Sequence, residues 1–193
     1  MVTSTLIFVT HPEVVVDPAV PVPRWHLAAR GIERLRRFAA SGAVDGATAV
    51  WASTECKAIE AAGVLAGRLG LGVGVRHDLG ENDRSATGFL PPAEFEAMAD
   101  AFFARPEESV RGWERAVDAQ ARIVAAVRDL AAGHGGGDLL VVAHGAVGAL
   151  LRGHLMGAPI SRALDQARQG SWFRVALPGW RLLDAQWCEL PGA

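Results

Sequence analysis

Short apolar runs that end at a polar residue alternate along this chain with longer stretches in which apolar residues return every three or four positions. Leu6-Ile7-Phe8-Val9 is the first run, with the unbroken apolar character of a strand covered on both faces. Thr10-His11 ends it, and Pro12 cannot continue a central strand. Residues 13–24 carry Pro18, Pro21 and Pro23 and read as a loop. Ile32, Leu35 and Phe38 fall at helical spacing, in a helix led in by Trp25 and Leu27 and ending near Ala40. Gly42 and Gly46 break the chain before a second strand, Thr48–Ala52. Ser53-Thr54 is an N-cap signature for a helix from Glu55 to Leu69, with Ile59, Ala62, Leu65 and Leu69 on one face.

The pattern continues with a short strand at Val73–His77 and a charged loop, 78–84. Pro91-Pro92 open a helix carrying Phe95, Met98, Phe102 and Phe103, and Pro106 ends it. One long helix is predicted from Glu107 to Ala132, with Trp113, Val117, Ile123, Val127 and Leu130 on its apolar side. After a glycine-rich turn, Asp138–Ala143 repeats the opening arrangement: an apolar strand ending at His144-Gly145, then a helix over Ala146–Met156. Two last strands, Trp172–Leu177 and Arg181–Trp187, flank the hairpin turn Pro178-Gly179. Strands alternating with helices imply an α/β fold, a three-layer α/β/α sandwich on a mostly parallel sheet. No linker divides residues 1–193 into two domains.

Composition narrows the function classes. The chain has 193 residues, 50% hydrophobic and 21% charged, enough to bury a full core. Its net charge is −2 with no basic run, which argues against nucleic-acid binding. The first apolar run is too short to span a membrane and lacks a basic leader. Cys56 and Cys188 have no metal-ligand spacing, and their scarcity suggests a reducing, cytoplasmic setting. Lys57 is the only lysine beside many arginines, and Asn82 the only asparagine. A lone survivor of a depleted residue type hints that its position constrains chemistry.

His11, His144, Lys57 and a carboxylate of the 78–84 loop all fall at predicted strand-to-loop or strand-to-helix junctions. Ligands bind at the carboxyl ends of strands in such sheets. Lys57 and His144 also open helices, whose free N–H groups favour anions. Two imidazoles, an ammonium and a helix N-terminus suit a phosphoryl group, and an imidazole can attack phosphorus. A zinc site from His11, His144 and Glu81 would fit by residue type, but no HExxH or paired-cysteine spacing supports it. His26, His134 and His154 read as bystanders; His77 lies beside the Glu81 loop.

From Leu6 to Met156 the sequence resembles the histidine phosphatase superfamily, which includes the cofactor-dependent phosphoglycerate mutases. The family's opening Arg-His-Gly reads Thr10-His11-Pro12 here, and its Leu-Thr-x-x-Gly reads Leu27-Ala28-Ala29-Arg30-Gly31. Ser53-Thr54, followed by Lys57 in an arginine's place, resembles its Ser-Ser motif; Leu79-Gly80-Glu81 resembles Leu-x-Glu; His144-Gly145 closes the set. No one motif is specific, but five in order are. The resemblance implies a phosphoglycerate mutase-like fold, His11 as nucleophile, and His144 and Lys57 holding phosphoryl oxygens. Glu81 would be the proton donor, with Asp83 its rival. Thr10, Ser53 and Arg84 join Lys57 in the implied substrate-binding set. No metal or cofactor is implied, and the partner is a small-molecule phosphate ester or a phosphoprotein.

The departures are specific. Thr10 replaces a guanidinium with a hydroxyl, Pro12 removes a backbone donor, and Lys57 lacks arginine's fork. Asp17 stands where many members have a phosphate-contacting Asn, and Arg24 or Arg84 could restore charge. The expected activity is phosphatase chemistry through a phosphohistidine. The alternative is a catalytically weakened protein that binds or senses phosphate esters. A mutase ranks lower, because no extra basic cluster offers a second phosphate site.

Overall fold

Leu6 and Phe8 point into one apolar layer and Ile7 and Val9 into another, none more than 1% exposed, because their strand β1 (Thr5–Thr10) lies inside the sheet. The computed structural model describes residues 4–192. The other strands are β2 (Ala47–Ser53), β3 (Val73–Arg76), β4 (Asp138–Ala143), β5 (Ser171–Ala176), β6 (Arg181–Leu182) and β7 (Cys188–Glu189). They are ordered β3-β2-β4-β1-β5-β6, with β7 also paired to β5. The β3-β2-β4-β1 body is parallel throughout, and β5 to β7 add an antiparallel edge.

Helices α1 (Ala29–Ala40) and α2 (Cys56–Leu69) cover the Ile7 and Val9 face, through Leu35, Phe38, Ala58, Ala62 and Leu65. On the Leu6 and Phe8 face lie α3 (Pro92–Ala104), α4 (Ala116–Ala132) and α5 (Gly145–Met156), through Phe102, Ile123, Val127, Val147 and Leu150. This is the expected three-layer α/β/α sandwich. No described helix is long and apolar enough to cross a membrane.

The structure corrects three local expectations. The helix predicted from Glu107 begins only at Ala116. Arg111 (φ 49°) and Gly112 (φ 83°) take left-handed conformations that an α-helix excludes. That kink lets Trp113 leave a helical register and bury itself against Phe102, its Nε1 donating to Thr87 Oγ1 at 2.9 Å. The last predicted strand splits into β6 and β7, because Arg174 and Arg152 draw the intervening Asp184 and Ala185 into side-chain contacts. Ser53 ends β2 rather than capping α2; the cap position falls to Glu55.

The carboxyl-terminal segment is fastened beneath β1. Arg34, only 4% exposed, donates to the carbonyls of Gln169, Gly170, Leu190 and Pro191 and to the Glu13 carboxylate. Gly170 N–H in turn donates to the His11 carbonyl at 3.1 Å. Removing the guanidinium would leave several buried acceptors unpaired. Arg34→Ala should therefore cost about 3 kcal/mol or more in denaturant unfolding, with Arg34→Lys restoring little for want of a fork. A loss below about 1 kcal/mol would show that water replaces the guanidinium.

Candidate active site

β1 and β4 run parallel with Thr10 opposite Ala143, so the residues after them, His11 and His144, leave the sheet side by side. Their rings stand 5.3 Å apart, centre to centre, at 66°. His11 N–H donates to the Ala143 carbonyl, tying the two strand ends together. The His11 Nδ1 lies 2.9 Å from the Pro12 carbonyl oxygen. A carbonyl only accepts, so Nδ1 carries the proton and Nε2 presents a free lone pair. Burial, and then the Lys57 charge, push the His11 pKa down to about 4, against the opposing pull of the Pro12 carbonyl and Glu55. Pro12 loses a donor but keeps the carbonyl that orients the ring.

Lys57 lies in the first turn of α2 and is 2% exposed, aimed inward rather than at solvent. Its ammonium donates to the Val22 carbonyl at 3.0 Å and to Glu55 Oε2. Glu55 Oε1 accepts from the Glu81 backbone N–H at 3.1 Å and lies 3.2 Å from His144 Nε2. Burial pushes the Glu55 carboxyl up, but His144, Lys57 and the Glu81 N–H outweigh it and hold the pKa at about 2. A carboxylate facing Nε2 assigns the His144 proton to that nitrogen, which also meets Ser53 Oγ at 2.7 Å. His144 Nδ1 is buried without a hydrogen-bond partner among the described residues, and burial holds the imidazole well below its ordinary pKa.

The Glu81 carboxylate accepts from the N–H groups of Ala146 and Val147, at 3.2 and 3.1 Å, so it caps the start of α5 from another loop. That loop is held by Arg122, which donates to the carbonyls of Asp78, Gly80 and Glu81 and pairs with Glu114. Asp83 Oδ1 accepts from the Ser85 N–H, and this bond holds the carboxyl below the usual range. Arg84 stacks over Phe95 at 5.0 Å and Trp113 at 5.8 Å. Glu55, Glu81, Asn82, Arg84 and Trp113 line a cavity of about 830 Å³ that also meets Val22 and His77. Trp25 and Phe89 touch at 5.8 Å, joining the proline-rich loop to the loop after Glu81.

Thr10 does not face this cavity. Its hydroxyl meets Gln166 Oε1 at 2.6 Å and the Ser171 carbonyl at 3.1 Å, and it accepts from the Ser171 N–H. Gln166 also packs on Gly145, where a Cβ would lie 2.5 Å from its Nε2. Asp17 accepts from the Ala19 N–H in an exposed turn, and Arg24 is exposed and off the cavity wall. Among the described residues, no group of three or more His, Cys, Asp and Glu side chains is placed to hold a metal ion.

The sequence model of the histidine phosphatase superfamily (branch 1) matches residues 22–179. The chain belongs to the histidine phosphatase superfamily. His11 lies ahead of the matched stretch, so its place rests on the fold. Among solved structures, YhfR of Bacillus stearothermophilus superposes with a TM-score of 0.80 at 22% identity, over 95% of this chain and 96% of that one. A mycobacterial glucosyl-3-phosphoglycerate phosphatase, in complex with inorganic phosphate, gives 0.77 at 23%, over 97% and 98%. The Entamoeba histolytica phosphoserine phosphatase, in complex with 3-phosphoglyceric acid, gives 0.75 at 13%, over 96% and 97%. At these identities the likeness establishes a shared fold. No curated protein matches the chain.

Within this superfamily member the structure gathers His11, His144, Lys57 and Ser53 at one sheet edge, with Glu81 and Arg84 on the adjoining cavity wall. Sequence reasoning passed over Glu55, Gln166, Arg122 and Glu114. Glu55 alone left a signal, as a carboxylate two positions before the single lysine. The other three act across distant segments and left none.

The His11 environment has a direct readout. Nuclear magnetic resonance titration of its imidazole should give a midpoint near 4 and the Nδ1–H tautomer. Because the folded pKa lies below the unfolded 6.5, the unfolded chain binds more protons between those values. This contribution is complete above pH 6.5, and stability falls as pH drops toward about 4. A midpoint of 6.5 or an Nε2–H tautomer would contradict the geometry.

Proposed function

We propose that the protein is a phosphatase that hydrolyses a phosphomonoester, small or protein-borne, through a phosphohistidine at His11. The hydrogen bond from Nδ1 to the Pro12 carbonyl carries this reading, since it leaves Nε2 unprotonated on a neutral ring beside His144 and Lys57. Nε2 forms a bond to phosphorus as the ester P–O bond breaks, and the leaving oxygen takes up a proton. Water then attacks phosphorus, releasing phosphate and returning neutral His11. His144 Nε2–H and the Lys57 ammonium stabilise charge on the phosphoryl oxygens. Glu81, on the wall of the cavity we assign to the leaving group, protonates the leaving oxygen and later takes a proton from water. That the mycobacterial and Entamoeba neighbours are phosphatases supports a phosphate ester as substrate.

Thr10 favours a second reading, a weakened protein that binds phosphate esters without turning them over. Its hydroxyl is taken up by Gln166 and Ser171, leaving no donor where relatives carry a guanidinium. One missing transition-state donor costs about 100- to 1000-fold in rate.

Turnover of an aryl phosphate is the discriminating measurement. Slow hydrolysis above the His11→Ala background is expected, with base-stable, acid-labile phosphate on His11 after alkaline quench. The rate constant kcat/KM should show no acid limb at 6.5, because free His11 titrates near 4. Ester binding with no turnover of alkyl, aryl or phosphohistidine substrates would establish the binding reading instead.

A further inference from the structure

We propose that Glu55 is an internal occupant of the phosphoryl seat, which makes anion binding conditional on contacts with the rest of the ester. The inference rests on the phosphatase reading of the same site. Three donors there could hold phosphoryl oxygens: the Lys57 ammonium, His144 Nε2–H and the Glu81 N–H. All three converge on one carboxylate, Glu55, at its Oε2 for Lys57 and at Oε1 for the other two, 3.2 and 3.1 Å away. Among the described residues Lys57 pairs with no other anion, and its remaining hydrogen bond is to the Val22 carbonyl.

Charge balance follows. Lys57 and Glu55 cancel, and both imidazoles are neutral. The seat therefore offers no surplus positive charge of its own; the Arg84 guanidinium, stacked on the aromatic wall, acts on both imidazoles only through its field. Inorganic phosphate must displace Glu55 from its donors and brings nothing to fill the cavity. An ester brings a leaving group that can pack on Val22 and Trp113, and that burial offsets the exchange. Glu55 thereby determines specificity, favouring the ester over its own inorganic product.

A different role for Glu55 predicts the opposite sign. If it only holds Lys57 in position, removing it weakens anion binding. Calorimetric titration of the full chain with inorganic phosphate separates the two. Wild type should bind weakly, and Glu55→Gln and Glu55→Ala should both bind about tenfold or more tightly, each having freed a charged donor. Adding Lys57→Met to Glu55→Gln should abolish that gain. Weaker or unchanged binding in Glu55→Gln overturns the proposal, whether or not the alanine variant folds. So does a gain confined to glutamine when both variants fold, or a gain that survives Lys57→Met. Phosphate on His11 of the wild type is scored separately, so this proposal can fail while the phosphatase reading stands.

Discussion

The parallel pairing of β1 with β4 is the constraint on which the site depends. These strands start 133 residues apart in the chain, and their shared register ends both at the same level. Each is buried on both faces, so a slip of one residue would exchange the two apolar layers and move every inward side chain. The spacing of the two imidazoles is therefore set by core packing rather than by a loop. The same burial that fixes the register also keeps both rings neutral.

Much of this was legible in the sequence because it is carried by local pattern. Two apolar runs ending in histidine announced the strands, and glycine after His144 announced the turn into a helix. Lys57 was legible as an anomaly, an ammonium at the positive end of a helix. The structure gives the physical reason: a carboxylate two residues earlier and a carbonyl from the proline-rich loop take up the charge.

What was not legible is carried by contacts without periodicity. Arg111 and Gly112 look helix-compatible in a window of apolar spacing, yet their left-handed backbone turns Trp113 into the core. Gln166 answers Thr10 across 156 residues. Arg122 sits on a helix whose pattern reads as ordinary surface, yet it orders three carbonyls of the loop that carries Glu81. Side-chain networks of this kind leave the hydrophobic pattern unchanged, so the pattern cannot report them.

The fastening of the carboxyl-terminal segment under β1 has a consequence for the order of assembly. β1 is made long before its neighbours β4 and β5, and Thr10 and Ser171 are 161 residues apart. Throughout most of synthesis Leu6–Val9 is an apolar strand with both edges unpaired. Such a strand is a target for chaperones and for pairing with other chains. Its native partners are non-local, so closing the sheet centre is a slow step of high contact order. The support under His11 is complete only when Arg34 has gripped residues 190 and 191. A chain lacking residues 169–191 would thus hold both histidines and still lack the carbonyl contacts that Arg34 and the His11 backbone make beneath them.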